Sequence, residues 1–544
     1  MKKWLEEIHF LLKNKCYIIV LSLTALCSYG FMITHHTIGI DDTPYGYYFE
    51  DGLAAIVGRW VLFLCNKVID IADFAPFLTD FAGVILLILG VSVWCVILKR
   101  IFQDRIPFYG YLFFSCLFLS NSLISEVYTY YLHNGIGIGY LACGVSLCFF
   151  CEFLERKRMP LFLGSILCLW IAMGCYESFM IVYLVAVCIV LTARCLGKEK
   201  TKVGKALLIA FGIAFFAMVL RSIMIQGVCF LFGLEDLKGA AVQRSITELM
   251  EWLLKEGAMS EFFMVIKRVF VMYTVFAYAY YPIKIYMLAV IILILIGLYR
   301  SIKDRNPRII LLIIGGILAS YFLVFVEGKA TLYRSAQFLP LFSAWGLFTL
   351  FLLPSEFALP HNVKKISSAI LITVMSVIVW NQCADMNAWF YVDYLKYEDA
   401  KNTMNQIAYE LEKSYDTEKP IIFTGIYKVP ESITQRAYVA YNSEIYYKML
   451  RITTKIDSTL LEKYYRDQGV WVAQTPALSI LDWGRYAFHT NEELIRFFAM
   501  HGHILKPQMD ISICTFAEEY SLELPSFPET GSIVDMGEYI IVHF

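Results

Sequence analysis

Cys16-Tyr-Ile-Ile-Val-Leu-Ser-Leu-Thr-Ala-Leu-Cys-Ser-Tyr-Gly-Phe-Met-Ile-Thr34 decides the fold class, and Ile38-Gly-Ile-Asp41-Asp42-Thr43-Pro44-Tyr45, close behind it, decides where to look for chemistry. The first stretch is uncharged and long enough to cross a bilayer, which takes about 20 apolar residues in a helix. Two adjacent carboxylates therefore sit where a helix leaves the membrane, able to meet both a lipid-borne and a water-borne group. The polar stretch runs on through Glu50-Asp51-Gly52 to Gly58-Arg59-Trp60.

Working outward, comparable apolar runs recur at Phe77–Ile97, Phe108–Ile124, Ile136–Cys151, Leu161–Cys175, Phe179–Ala193, Ala206–Phe232, Ile283–Leu298, Ile309–Val326, Ala336–Leu353 and Ile366–Cys383. They predict an α-helical polytopic membrane protein with about eleven transmembrane helices. Composition agrees: 59% of the 544 residues are hydrophobic, against about 45–50% in soluble domains. A net charge of -1 excludes a nucleic-acid binder driven by bulk charge. Nearly all of the 15 cysteines fall inside apolar runs, which is not the pattern of a disulfide-stapled secreted domain. Cys148-Phe-Phe-Cys151 has metal or redox spacing, but its setting in an apolar helix favours ordinary packing. Gly135-Ile-Gly137-Ile-Gly139 is the nearest approach to a phosphate-cradling loop; it opens a membrane helix, where small residues permit close helix contact. Lys2, Lys3, Lys13 and Lys15 precede the first run, Glu6 and Glu7 intrude and no small-residue cleavage site follows, so the start reads as an uncleaved first membrane helix.

Loop charges set the expected orientation. Lys99-Arg100 with Arg105, Arg156-Lys157-Arg158, Arg194 with Lys198, Lys200, Lys202 and Lys205, Arg300 with Lys303, Arg305 and Arg308, and Lys364-Lys365 fall on alternate loops. Short basic loops stay cytoplasmic, so the N-terminus is expected inside and the opposite loops outside. Those outer loops collect Asp41-Asp42, Ser125-Glu126-Val-Tyr128-Thr-Tyr130-Tyr131-Leu-His133, Tyr176-Glu177-Ser178, Arg244–Tyr281 and Glu327-Gly-Lys329 to Arg334. Leu53–Ile71 and Ile246–Phe270 have roughly helical spacing and suit amphipathic helices on the outer interface. Residues 1–384 form the expected transmembrane domain. After Cys383 the apolar runs stop, and 385–544 reads as an extracytoplasmic α/β domain with a helix over Tyr397–Tyr415 and strands at Pro420–Gly425 and Tyr539–His543.

Ionisable groups at a membrane face are costly and usually have a partner or a task. Asp41 and Asp42 point in different directions on an extended chain, so one suits a general base and the other a cation or a loop contact. Asp42-Thr-Pro-Tyr could also simply be a turn. Shared placement with Glu126, Glu177 and Glu327 favours the functional alternative. Arg59, Arg221 and Arg334 suit a phosphate through their bidentate fork, with Lys329 alongside; snorkelling or a structural ion pair is the competing explanation for each. Tyr45, Tyr47, Tyr48, Tyr128, Tyr130, Tyr131 and Tyr176 suit stacking on a sugar ring or an interfacial belt. His35, His36 and His133 lack metal-ligand spacing.

Ile40-Asp41-Asp42-Thr-Pro-Tyr45 followed by Gly58-Arg59-Trp60 resembles the opening of a bacterial membrane glucosyltransferase family, the phage-type family that decorates O-antigen and related surface polysaccharides. Tyr176-Glu177-Ser178 after a short span, and Asn387-Ala-Trp-Phe with Asp393 after the last, extend the likeness over residues 1–425. The resemblance implies a GT-C fold, a polyprenyl-phosphate-sugar donor in the outer leaflet and a surface polysaccharide or glycolipid acceptor. It also implies Asp41 or Asp42 as base and inversion at the anomeric carbon. The chain departs from the family at Glu177, where an amide is usual. No ATP site is needed, since the donor is already activated; Asp41 and Asp42 could bind a divalent cation through oxygens. The expected location is the bacterial cytoplasmic membrane. A transporter or flippase of lipid-linked sugars is the alternative, but it would favour ionisable groups near the midplane. An envelope assembly protein, with the C-terminal region as its working part, is a third.

Overall fold

A computed structural model describes residues 2–35, 37, 53–69, 76–128, 133–197, 202–234, 284–327, 335–356, 360–425, 491–508 and 510–544, with a few single positions between 254 and 266. The chain divides into two compact units. The first holds the helices up to residue 387; the second holds residues 388–544 together with His35 and Thr37.

The chain opens with two helices where the sequence predicts one. α1 (Lys2–Lys13) is amphipathic and separate from α2 (Lys15–Thr34). Asn14 stands between them, and its side-chain oxygen accepts from the backbone N–H of Tyr17 at 3.1 Å, an N-cap for α2. Trp4 and Leu11 of α1 are buried while Leu5 and Phe10 are exposed. The helix expected over Leu53–Ile71 is also broken. α3 (Leu53–Ile56) ends at a turn in which Gly58 has φ +87°, and α4 (Trp60–Ile69) starts afresh. Trp60, Val61, Leu62 and Phe63 are all buried, so this segment packs inside the bundle instead of lying on an interface.

α5 (Pro76–Phe102), α6 (Phe108–Leu119), α7 (Leu123–Tyr128), α8 (His133–Arg156), α9 (Met159–Cys175), α10 (Phe179–Leu196) and α11 (Val203–Leu231) follow. Then come α12 (Lys284–Lys303), α13 (Arg308–Ala319), α14 (Phe322–Glu327), α15 (Phe338–Phe348), α16 (Leu353–Glu356) and α17 (His361–Ser414). Among the described residues 7 helices are long and apolar enough to cross a bilayer, and four further apolar helices are shorter. Together they fall on the apolar runs of the sequence. The run Phe108–Ile124 is cut at Ser120, whose hydroxyl donates back to Cys116 O at 2.8 Å, a bond that competes with the helix ladder.

The glycines of α8 do set helix contacts. A Cβ on Gly137 would lie 2.8 Å from Leu86 Cβ and 2.9 Å from Gly83 O of α5; on Gly139 it would meet the Phe179 ring of α10 at 2.0 Å. Gly90 approaches Leu141 in the same way. Leu86 faces Gly137 and Gly90 faces Leu141, so α5 and α8 run parallel. Their C-terminal ends meet where Arg100 Nη1 donates to Glu152 Oε1 at 3.3 Å, and Arg194 at the end of α10 reaches Glu155 at 3.0 Å. The N-termini of α5, α8 and α10 thus share one end of the bundle and their charged C-termini the other.

In the second unit β1 (Pro420–Thr424), α18 (Asn491–Met500), β2 (Lys506–Pro507), α19 (Ile511–Ser521), β3 (Ile533–Asp535) and β4 (Ile540–His543) build a sheet of order β2-β1-β4-β3. β1 is parallel to β2 and β4, and β3 is antiparallel to β4. Side chains alternate across the sheet. Ile421, Ile540 and Val542 pack on Ala400, Met404, Ile407 and Leu411 of α17 and on Phe497 and Phe498 of α18. Ile422 and Ile541 turn the other way, towards Ala517 of α19.

Candidate functional site

Two short turns meet at the end of the bundle that carries the N-terminus of α10. One is Val57-Gly58-Arg59, between α3 and α4; the other is Tyr176-Glu177-Ser178, between α9 and α10. Arg59 Nε lies 3.9 Å from Glu177 Oε2, and the Arg59 guanidinium carbon sits 4.5 Å above the centroid of the Tyr176 ring. Arg59 is the more enclosed partner: 11% of its side chain is exposed, against 39% for Glu177. Next to Arg59, Trp60 packs against Gly174, where a Cβ would come within 2.4 Å of the indole nitrogen. Trp60 also stacks on Trp170 of α9, centroids 4.5 Å apart.

Arg221 arrives from α11. Its Nε donates to Met173 O at 3.3 Å and its Nη2 to Val57 O at 3.1 Å. Three of the ionisable residues singled out in the sequence, Arg59, Glu177 and Arg221, are therefore brought together. Tyr176 is corrected: it is buried beneath Arg59 and its ring face serves the guanidinium rather than a sugar. Asp41, Asp42, Lys329 and Arg334 lie outside the described residues, as do most of Ile246–Phe270 and the tyrosines at 45, 47, 48, 130 and 131. Glu126 and Tyr128 lie in α7, and Glu327 ends α14. His35 packs edge-on to Tyr394, 4.9 Å between centroids. Asp393 accepts from Thr37 Oγ1 at 2.9 Å, and Asn387 donates to Cys383 O at 2.9 Å.

Several of the buried polar atoms without a hydrogen bond lie on or beside these turns. Among the described residues Trp60 Nε1, Trp170 Nε1, Glu177 Oε2 and Ser178 Oγ are buried and lack a hydrogen-bond partner. Unsatisfied buried groups are rare and call for an explanation. Here the set contains donors and an acceptor beside a guanidinium, the complement of a ligand that carries hydroxyls and negative charge.

Sequence reasoning passed over Asp80, which is buried near the start of α5. It stands inside the run Phe77–Ile97, and an acid within an apolar run was the signal available. Among the described residues no group of three His, Cys, Asp or Glu side chains could hold a metal ion. Cys148 and Cys151 are buried free thiols of α8. The other end of the bundle is a structural network. Glu152 accepts from Trp4 Nε1 at 2.9 Å and pairs with Arg156 at 2.7 Å, Arg100 lies 4.1 Å over the Trp4 ring, and α1 is thereby held to α5 and α8.

The helices and this site define a polytopic membrane protein with a polar cluster gathered at one end of its bundle. The family model described as Glucosyl transferase GtrII matches residues 30–353, and the chain belongs to that family. It is a membrane glycosyltransferase of surface polysaccharide modification, working between a sugar donor and a polysaccharide acceptor. The matched stretch contains Asp41, Asp42, Arg59, Glu177 and Arg221, whereas the Asn387 and Asp393 likeness lies beyond it. No curated protein and no solved structure matches the chain.

Proposed function

We propose that the chain moves a hexose, glucose by its family, from a polyprenyl-phosphate carrier to a cell-surface polysaccharide or glycolipid, in the manner of an inverting GT-C enzyme. One carboxylate of the Asp41–Asp42 pair takes the proton of an acceptor hydroxyl. That oxygen attacks the anomeric carbon, the bond to phosphate oxygen breaks, and the polyprenyl phosphate leaves with the electron pair. Arg59 faces the leaving phosphate, where a guanidinium in a poorly hydrated setting stabilises developing charge. Glu126, Tyr128, Glu177, Glu327, Lys329 and Arg334 are the further proposed contacts to donor or acceptor.

The site faces the outside of the cytoplasmic membrane and the basic loops face the cytoplasm. Residues 1–384 carry the reaction, and 385–544 form an extracytoplasmic domain. The observation that carries this reading is the meeting of Arg59 with Glu177 on two turns packed together, beside buried indole and hydroxyl groups that make no hydrogen bond.

The test is sugar transfer by Asp41→Asn and Asp42→Asn variants that insert normally. The base should be revealed by a loss of about 100-fold or more in one of them. Full activity in both removes the base from this loop. A chain that carries the lipid-linked sugar across the bilayer with its glycosidic bond intact would be a transporter instead.

A further inference from the structure

We infer that Arg221 is a positioning residue that latches the two turns of the site together, and not a contact for the donor phosphate. The inference deepens the proposed function, since it rests on Arg59 as the residue that meets the donor. Helices end with carbonyls that have no partner within the helix. Val57 O follows the last residue of α3, whose own closing bonds run from Gly58 N to Ala55 O and from Arg59 N to Ala54 O. Met173 O belongs to the last turn of α9. Arg221 donates to both carbonyls, so one guanidinium caps two helix ends, and a cation at a C-terminus is favourable as well. Those two ends lead directly into Arg59 and into Glu177.

The local fold is built for this bridge. Arg221, Ile225 and Cys229 form one stripe of α11 at four-residue spacing, and Ile225 and Cys229 pack with Ile56. Gly58 has φ +87°, and a Cβ there would lie 2.0 Å from Arg221 Nη2, 2.6 Å from its Cζ and 2.9 Å from Ile225 Cδ1. The glycine thus serves twice: it adopts the left-handed turn and leaves room for the fork. Arginine suits the task because its planar fork spans two acceptors, which the point charge of a lysine does not reproduce.

Two double-mutant cycles on the full-length protein in lipid nanodiscs test the latch. The first combines Gly58→Ala with Arg221→Gln and reads the thermal unfolding midpoint. Gly58→Ala displaces the fork besides straining the left-handed turn, so the two losses should overlap and the double variant should lose clearly less than their sum; fully additive losses overturn the latch. Should Arg221→Gln fail to insert, Arg221→Lys replaces it with the same expectation. The second cycle combines Arg59→Lys with Arg221→Lys and reads kcat/KM with a radiolabelled polyprenyl-phosphate glucose as probe. A residue acting through Arg59 leaves the double within about twofold of the worse single, while independent phosphate contacts multiply their losses and overturn the assignment. If the unmodified protein transfers no sugar from this probe, the functional reading has failed and the midpoint cycle alone decides the latch.

Discussion

Arg59 is a long cation held close to apolar helices, and its surroundings explain how. The Tyr176 ring lies under it, Glu177 stands at the limit of ion-pair range, and Trp60 fixes the backbone beside it. A guanidinium over an aromatic face gains roughly 0.5–2 kcal/mol, more as water is excluded. Arg59, Glu177 and Arg221 were legible in the sequence because ionisable residues are scarce in apolar surroundings. Their division of labour was not, since the orientation of Tyr176 and the carbonyls that take up Arg221 depend on which turns meet. A second residue-scale case is His501 of the C-terminal unit. A carbonyl only accepts, so His501 Nδ1 donates to Phe497 O at 2.9 Å and Nε2 accepts from Tyr397 Oη–H at 3.0 Å. Burial, chiefly, with Lys401 and His503 adding to it, pushes the imidazole below the ordinary histidine value, against opposing pulls from the Phe497 carbonyl and Glu398. The folded state then binds fewer protons than the unfolded one over that window. Its contribution is complete above pH about 6.5 and is lost as pH falls through the lowered value. Unfolding midpoints recorded from pH 8 down to about 5 should show a steeper acid-side decline in the parent than in His501→Gln; parallel curves would show that this imidazole does not set the decline.

At the scale of elements, the apolar runs located the helices well, because bilayer thickness imposes length and composition together. Where the reading failed, local geometry overruled periodicity. Leu53–Ile71 keeps helical spacing through Gly58, yet the left-handed φ there ends one helix and starts another. Asn14 sets α1 apart from α2, and α2 alone coincides with the first apolar run. Asp80 disappeared from view because its neighbours dominate the average of the run around it. The glycine series of α8 offers a direct test of helix contact. Gly137→Ala would drive a methyl into the backbone of α5, which cannot step aside as a flexible side chain can. Overpacking of this kind costs about 1–3 kcal/mol, so the variant should unfold at a clearly lower temperature. Gly212→Ala on α11 meets nothing within 4 Å and should leave the midpoint nearly unchanged. Equal midpoints for the two variants would mean that α5 and α8 are not in the close contact described.

For the whole molecule, the question is which side of the membrane each end of the bundle faces. The charged C-termini of α5, α8 and α10 share one end, with α1 bound over them through Trp4 and Glu152. The Arg59–Glu177 turns share the other. Basic loops held in the cytoplasm would place the site, and the C-terminal unit that follows the last apolar run, outside. The chain supplies its own reporter in Cys514, a free, half-buried thiol of α19 that lies outside the apolar runs of the sequence. Its Sγ donates weakly to Gln508 O at 3.6 Å. Burial, with Asp510 and Glu518 nearby, pushes the thiol above its ordinary value, so the reactive thiolate is scarce at neutral pH and grows as pH rises. A membrane-impermeant maleimide added to intact spheroplasts should therefore label the chain faster at pH 8.5 than at pH 7. The Cys514→Ser variant should lose that labelling, because the other cysteines, the exposed Cys16 and Cys27 included, all lie in helices of the first unit, where a bilayer keeps a charged reagent away. Labelling of Cys514 only after the membrane is opened would put the C-terminal unit in the cytoplasm, and an acceptor polysaccharide at the cell surface could then not be served from that side.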